Sequence, residues 1–319
     1  MKKVLLFLFA TTLTYALSLV EIYRGGGIDS VEIEIEKMLQ SPSYWQEYLK
    51  DKDVDRGFYE FDTPIVFIDK TNQTMKLVYN VDKIQVKKSY QNIITGKMGD
   101  KQVEGDLKTP VGVYDIVKRF VPENTFYGPI AFSLSYPNTL DKLDGKNGHG
   151  IWIHGFPLDE SQRGTKTKGC VALENDILVK FDKDLGVDYA VVIISENGEN
   201  IASKGDISNI LANLYQWRYA WALSDVDAYL NFYDGSFKRF DGKNKQQFAR
   251  MKKIIFKRKE TKIIRFKNIA ISPYPNMDGK NMYRVVFDEY YRTKNYKFDG
   301  KKELYILLEN DKMRIIAEK

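Results

Sequence analysis

The sequence predicts an α+β protein in three parts: a small helical lead-in, a mainly β middle domain and an α+β C-terminal domain. Three observations carry that prediction. β-rich runs separated by Asp, Asn and Lys turns fill the chain from Ile65 to Ile194. A polar stretch rich in turn formers, SENGENIASKGD, follows at 195–206. Beyond it a helical face of aromatic residues opens a new pattern. The 319 residues suffice for about two domains at ~100–200 residues each, and the 43% apolar fraction excludes a disordered or collagen-like chain.

At the amino terminus, Lys2 and Lys3 precede an uncharged run from Val4 to Leu17, too short to span a bilayer comfortably. Small residues at Ala16 and Ser18 suit cleavage, so 1–18 reads as a secretory signal peptide and the rest as an exported chain. Within 19–60, Asp29 or Ser30 is placed to cap a helix carrying Val31, Ile35, Met38 and Leu39, which Pro42 stops. Trp45, Tyr48 and Leu49 then sit at helical spacing in a second short helix, as an apolar stripe facing a neighbour.

The middle domain spans 61–196. Its strands are IVFIDK from Ile65, TMKLVYN from Thr74 and IQVKKSYQNIITG from Ile84, then Gly112 to Val117, Gly150 to His154 and Tyr189 to Ile194, with no long amphipathic helix among them. The second domain spans 205–319. Leu214, Trp217, Trp221 and Leu223 fall largely on one helical face, Tyr229, Phe232 and Tyr233 follow, and several strands run to the C-terminus. The face of Trp217 and Trp221 reads as hydrophobic core.

The net charge of +6 is mild, because 49 basic and 43 acidic side chains are mixed along the chain. Export leaves no reason to expect a nucleic-acid partner. The local excess of basic residues at 240–268, 11 against 2 acidic, is a solvated face or a contact for anionic wall strands or an acidic sugar. A single cysteine excludes an internal disulfide framework and any zinc site needing several thiolates. It also needs a job or a burial site in an oxidising compartment.

The only two histidines, His149 and His154, lie within 21 residues of that cysteine, Cys170. Thiol catalysis needs a thiolate, a base of near-neutral pKa and donors aimed at the developing oxyanion. His154 closes the apolar run Ile151-Trp152-Ile153, where a strand would hold its ring. Gly155 lets the chain pass close by, and Gly169 permits a tight turn that exposes the thiol. Lys166 and Lys168 add positive potential that favours the thiolate. From the residues alone, a buried structural Cys with a structural His, and a zinc site of His149, His154 and Cys170, remain open beside catalysis.

Ile153-His154-Gly155, fifteen intervening residues from His154 to Cys170, and Thr167-Lys168-Gly169-Cys170 resemble the signature of the L,D-transpeptidase catalytic-domain family. ITGK at 94–97 and GDLKTPVGVY at 105–114, with Thr109, Pro110, Gly112 and Tyr114, agree with it over about 63–195. The resemblance implies a β-sandwich-like domain with Cys170 as nucleophile, His154 as base and the carbonyl of Gly155 orienting the ring. It implies an oxyanion hole from the Cys170 amide with Gly169, and places Thr167, Lys168 and Trp152 along the substrate site; His149 falls outside the strict motif, and its role there, as a structural or a wall residue rather than the base, stays open. Two positions depart from the pattern: Lys168 stands where many members carry His, and Ala172 where Arg is usual. A missing guanidinium removes a planar anchor for a carboxylate.

WRYAWALSDVDAYLNFY from Trp217, then FKRF, then GKKELYILLENDKMRIIAE from Gly300 resemble the nuclear-transport-factor-2-like domains, a curved sheet and helices around a cone-shaped pocket. Lys301 and Glu318 would line the cone's mouth. The three-part order resembles the periplasmic L,D-carboxypeptidases that set helical cell shape. The resemblance thus implies a metal-free and cofactor-free periplasmic enzyme acting on peptidoglycan stem peptides, removing the terminal D-Ala of tetrapeptides. It also implies a homodimer through 19–60, and the basic stretch at 240–268 adds an acidic sugar or glycan as a partner of the C-terminal domain. Two other readings stand beside it: 3–3 cross-linking through the same acyl-enzyme, and a non-catalytic wall-binding scaffold.

Overall fold

The computed structural model describes residues 2–81, 84–159 and 164–319, with side chains from residue 18 onward apart from 80–84. The side chains of the expected signal peptide at 1–18 therefore lie almost wholly outside the described residues. So do residues 160–163 of the loop between His154 and Cys170. Among the described residues, no helix is long and apolar enough to cross a membrane.

Helix α1 (Lys2–Leu39) is broken at Gly27, whose φ of 70° and ψ of −166° are not helical. The second half restarts directly after it, slightly ahead of the expected Asp29 or Ser30 cap. Pro42 does more than stop α1: behind Ser41 it opens α2 (Pro42–Leu49), where a missing N–H costs nothing. Trp45 and Leu49 are buried, as the helical spacing predicts, and their neighbour is the C-terminal domain, whereas Tyr48, expected in the same stripe, is exposed. Gln216 donates to the carbonyl of Gln40 at 2.9 Å, and Arg218 pairs with Glu36. Strand β1 (Phe58–Tyr59) then pairs antiparallel with a strand of that domain, Phe58 opposite Ile271. The lead-in thus completes the C-terminal domain's core, and the middle domain is inserted between the two.

The middle domain is an eight-stranded mixed sheet. Its strands are β2 (Ile65–Asp69), β3 (Thr74–Val81), β4 (Ile84–Tyr90), β5 (Gly112–Phe120), β6 (Ala131–Leu134), β7 (Trp152–His154), β8 (Val171–Ala172) and β9 (Val191–Ser195), in the order β4-β3-β2-β9-β5-β6-β7-β8. Strand β5 pairs with β9 through Gly112–Asp115 and with β6 from Ile116 onward, with a register shift between Ile116 and Lys118. That irregularity bends the strand. Val66, Ile68, Leu77, Tyr114, Ile153, Val171 and Ile194 share one buried cluster within the fold.

The expectation of no long amphipathic helix among these strands is corrected. Helix α4 (Asn175–Leu185) follows β8 and buries Leu178, Phe181 and Leu185, and the shorter α3 (Thr139–Leu143) precedes β7. The run NDILVKFDKDL mixes six polar with five apolar residues, and the three that are buried are interrupted by charges, which hid the helical stripe. Gly186, at φ 65°, ends it with a left-handed cap.

The C-terminal domain begins with α5 (Lys204–Ala222), capped by a reciprocal Ser203–Asp206 box that fixes where the polar linker ends. Next come α6 (Val226–Asn231), β10 (Tyr233–Arg239), α7 (Lys245–Phe256), β11 (Ile263–Pro273), β12 (Met282–Arg292), β13 (Lys297–Glu309) and β14 (Lys312–Glu318). The sheet order is β1-β11-β12-β13-β14-β10. Trp217 and Trp221 are buried as expected, whereas Leu223 is exposed, because α5 ends one residue earlier.

The two domains meet sheet against sheet. Ile65, Phe67, Val113 and Ile193 of one pack with Tyr274, Met282, Tyr305 and Ala317 of the other. At its edge Arg284 forks onto both oxygens of Asp115, at 2.9 and 2.6 Å, and onto Glu303 at 2.6 Å. Planar bidentate pairing of this kind fixes orientation as well as adding energy.

Candidate active site around Cys170

The site is built on two short parallel strands. In β7 and β8, Ile153 pairs with Val171 and His154 with Ala172. Ile153 and Val171 point into the core, so the alternation of side chains puts Trp152, His154 and Cys170 on the opposite face. The register sets Cys170 at the level of Trp152, one strand away.

The turn before β8 presents the thiol. Gly169 has φ 129°, and a Cβ there would stand 3.0 Å from the carbonyl oxygen of Lys108 and 3.1 Å from Ile151 Cδ1. Only glycine fits both constraints. The Cys170 carbonyl accepts from Thr167 Oγ1 at 2.7 Å and from Thr109 Oγ1 at 3.4 Å. The Gly169 amide donates to Thr167 Oγ1 at 3.1 Å, a bond that steadies the turn. Gly169→Ala is expected to cost on the order of 1–3 kcal/mol and to slow alkylation of the thiol, read by thermal melting and iodoacetamide kinetics.

Thr109 is itself held from below. Lys70, whose side chain is fully buried, donates to the carbonyls of Thr109 at 3.0 Å and Gly99 at 2.6 Å and pairs with Glu196 at 2.6 Å. The other Glu196 oxygen accepts from the Gly99 amide at 2.8 Å. Between Gly99 and Thr109, Asp106 gathers the amides of Gln102, Val103 and Lys108 and the ammonium of Lys101. Burial pushes the Asp106 carboxyl up, but these donors prevail and hold it well below the usual carboxylate range. Its folded pKa lies below its unfolded one, so its stabilisation is present at neutral pH and lost as pH falls. Asp106→Asn is expected to flatten the acid limb of a Tm–pH profile between roughly pH 5 and 2.

On the far side, Lys146 bridges Asp100 at 2.6 Å and the fully buried Asp141 at 2.9 Å. This pins the segment leading to Gly150, whose carbonyl accepts from Cys170 Sγ at 3.4 Å.

His154 is fully buried, with Nδ1 2.7 Å from the carbonyl oxygen of Gly155. A carbonyl can only accept, so Nδ1 carries the proton, and Nε2 is the basic nitrogen of the neutral ring. Gly155 can turn its carbonyl back this way because the chain passes Gly128 and Asn175 closely. A Cβ on Gly155 would collide with Asn175 Oδ1 and stand 3.1 Å from the Gly128 Cα. The Tyr127 ring meets the imidazole edge-on, with centroids 5.0 Å apart.

Of the residues expected at the site, Cys170, His154, Gly155, Gly169, Thr167 and Trp152 come together. Lys168 is exposed on the turn, and His149 is exposed on the segment before β7. The supports Lys70, Glu196, Thr109, Asn175 and Gly150 went unassigned in the sequence. Thr109 stood within a quoted motif, but no local pattern shows that a lysine and a glutamate 126 residues apart form one buried pair.

In the C-terminal domain a cavity of about 780 Å³ opens between α7 and the sheet. Both Lys301 and Glu318 line it, but they are not partners. The Lys301 side chain is 74% exposed and pairs with Asp288 at 3.4 Å, whereas buried Glu318 faces Lys302 at 3.4 Å and accepts from Tyr233 at 2.9 Å. Strand alternation turns Lys302, not Lys301, inward. Lys252 reaches the same cavity, its ammonium 5.0–5.1 Å from the ring centroids of Trp221, Tyr229 and Phe248. Burial lowers its pKa to about 8, against the pull of Glu318.

Residues 63–193 match the YkuD L,D-transpeptidase catalytic domain, and 209–319 match the Cds6 C-terminal NTF2-like domain. The helical cell shape determining protein Pgp2 from Campylobacter jejuni is 45% identical, over 88% of this chain and 99% of that one, with a TM-score of 0.83. The chain belongs to the L,D-transpeptidase family. Bd1075 from Bdellovibrio bacteriovorus is also similar, 26% identical over 84% of this chain and 96% of that one, with a TM-score of 0.64. YafK of Escherichia coli K12, provisionally named an L,D-transpeptidase, is 31% identical over 82 residues. That match spans 25% of this transpeptidase-family chain and 29% of the curated relative's length.

Proposed function

We propose that this protein is an exported, periplasmic L,D-carboxypeptidase that removes the terminal D-Ala from peptidoglycan stem tetrapeptides and so influences cell shape. The observation that carries this reading is the His154 tautomer set by Gly155, on the same sheet face as a thiol presented by a strained glycine turn. His154 Nε2 takes the thiol proton, and Cys170 Sγ attacks the carbonyl carbon of the third stem residue. The C–N bond breaks, and the D-Ala amine leaves with the proton from His154. Water, deprotonated by the same nitrogen, then opens the thioester to a tripeptide and regenerates the thiol.

One feature favours water over a second stem's amine: Ala172 is fully buried, with its backbone paired to Ile94, so position 172 offers no guanidinium to anchor a second stem. The similarity to the cell shape determining protein Pgp2 along almost its whole length supports the role in cell shape. For the C-terminal cavity the same proposal assigns an acidic sugar of the wall, held by Lys252 and Lys302. For the exposed Val20, Tyr23, Ile28 and Ile33 of α1 it assigns a second copy of the chain.

Digestion of purified muropeptides, followed by mass spectrometry, tests the activity. Tripeptide plus free D-Ala is expected. Dimers joined through two diaminopimelates would make the enzyme a cross-linker, and no product would leave a wall-binding scaffold.

A further inference from the structure

The backbone groups on both sides of Gly155 are paired. In the peptide before it, the His154 carbonyl accepts from the Leu173 amide at 3.0 Å, and the Gly155 N–H donates to the Tyr127 carbonyl at 2.9 Å. In the peptide after it, the Gly155 carbonyl accepts from His154 Nδ1 at 2.7 Å, and the Phe156 N–H donates to Asn175 Oδ1 at 2.9 Å. A trans peptide points its C=O and its N–H in opposite directions. The group that orients the imidazole is therefore held at its far end by a single side chain.

That hold matters because the position is a glycine. Glycine lets the following peptide swing at little cost, and a swing would carry the carbonyl away from Nδ1. Yet glycine is required, because a Cβ there would collide with Asn175 Oδ1 and crowd the Gly128 Cα. Asn175 removes the freedom that the missing Cβ leaves. It acts from a firm base, the first turn of α4, whose Leu178, Phe181 and Leu185 are buried. One segment, from Cys170 through β8 into α4, thus carries both the nucleophile and the side chain that steadies the base.

A second effect is electronic. The Asn175 amide, the Gly155–Phe156 peptide and the imidazole form a chain of hydrogen bonds in which each dipole polarises the next. The Gly155 carbonyl accepts more strongly for it, which favours the doubly protonated ring left after Nε2 takes the thiol proton.

We infer that Asn175 is a positioning residue for the reaction at Cys170: by fixing the Gly155–Phe156 peptide, it holds His154 in the tautomer whose Nε2 accepts the thiol proton. This inference rests on the thiol–imidazole reading above.

The chain has two histidines, so ¹⁵N labelling of histidine in the full-length protein reads the His154 ring directly, with His149→Gln to assign the signals. The neutral wild-type ring is expected to carry its proton on Nδ1. In Asn175→Ala both tautomers are expected, with alkylation of Cys170 by iodoacetamide slowed about tenfold. On tetrapeptide muropeptides kcat is expected to fall by roughly the same factor while KM stays within about twofold. Asn175→Asp, which keeps an acceptor oxygen for the Phe156 amide, is expected to restore the Nδ1 tautomer and most of the rate. A wild-type ring protonated on Nε2 alone would overturn the inference without any variant. So would an unchanged tautomer and alkylation rate in Asn175→Ala, or a loss that Asn175→Asp shares in full. Tautomer control by Asn175 with no muropeptide turnover in the wild type would overturn the carboxypeptidase and keep the positioning role.

Discussion

Exchanging Cys170 for Ala is expected to lower kcat on muropeptides by about 10⁴-fold or more while leaving the melting temperature nearly unchanged. The size follows from the chemistry: no second thiol exists in the chain, and a methyl group cannot form the acyl-enzyme. The small structural cost follows from the geometry. Cys170 is only partly buried, and the turn is held by its backbone, through Thr167 and Thr109, rather than by sulfur. A loss of activity accompanied by unfolding would instead make the cysteine a structural residue.

The largest expected effect on stability lies away from the reacting atoms, at Lys70. Lys70→Met leaves Glu196 as a buried carboxylate without its cation and strips the Gly99 and Thr109 carbonyls of a donor. Breaking one half of a buried pair costs ~3–5 kcal/mol, which in a domain of this size lowers Tm on the order of 10 °C. Burial alone pushes the lysine's pKa down and Glu196 opposes that, so the pair as a whole is not strongly stabilising. The double variant Lys70→Met/Glu196→Leu is therefore expected to recover much of the loss. Differential scanning calorimetry of the two variants checks both halves. Because Thr109 supports the Cys170 turn, the single variant should also slow thiol alkylation.

Much of this site was legible before any coordinates. The strands from Ile65 and Thr74 are rich in β-branched and aromatic residues and flanked by turn residues, and each formed within a residue or two of its expected bounds. Cys170, Gly169, His154 and Gly155 announce themselves because a thiol, a base and two glycines cannot be spaced arbitrarily around a turn and a strand end. What stayed hidden was non-local. Helix α4 looked polar because only one narrow stripe of it is buried. The lead-in's true neighbour was invisible because an apolar stripe says that something is covered, not by what. Lys301 and Lys302 are adjacent in sequence, and only the strand's register decides which of them meets Glu318.

The measurement that bears most directly on the account is mass analysis of acid-quenched enzyme during turnover of a tetrapeptide muropeptide. A thioester of the tripeptide stem is expected on the peptide containing Cys170, accumulating in the first turnovers and disappearing as free tripeptide appears. D-Ala release without any adduct on that peptide, or with Cys170→Ala fully active, would contradict it.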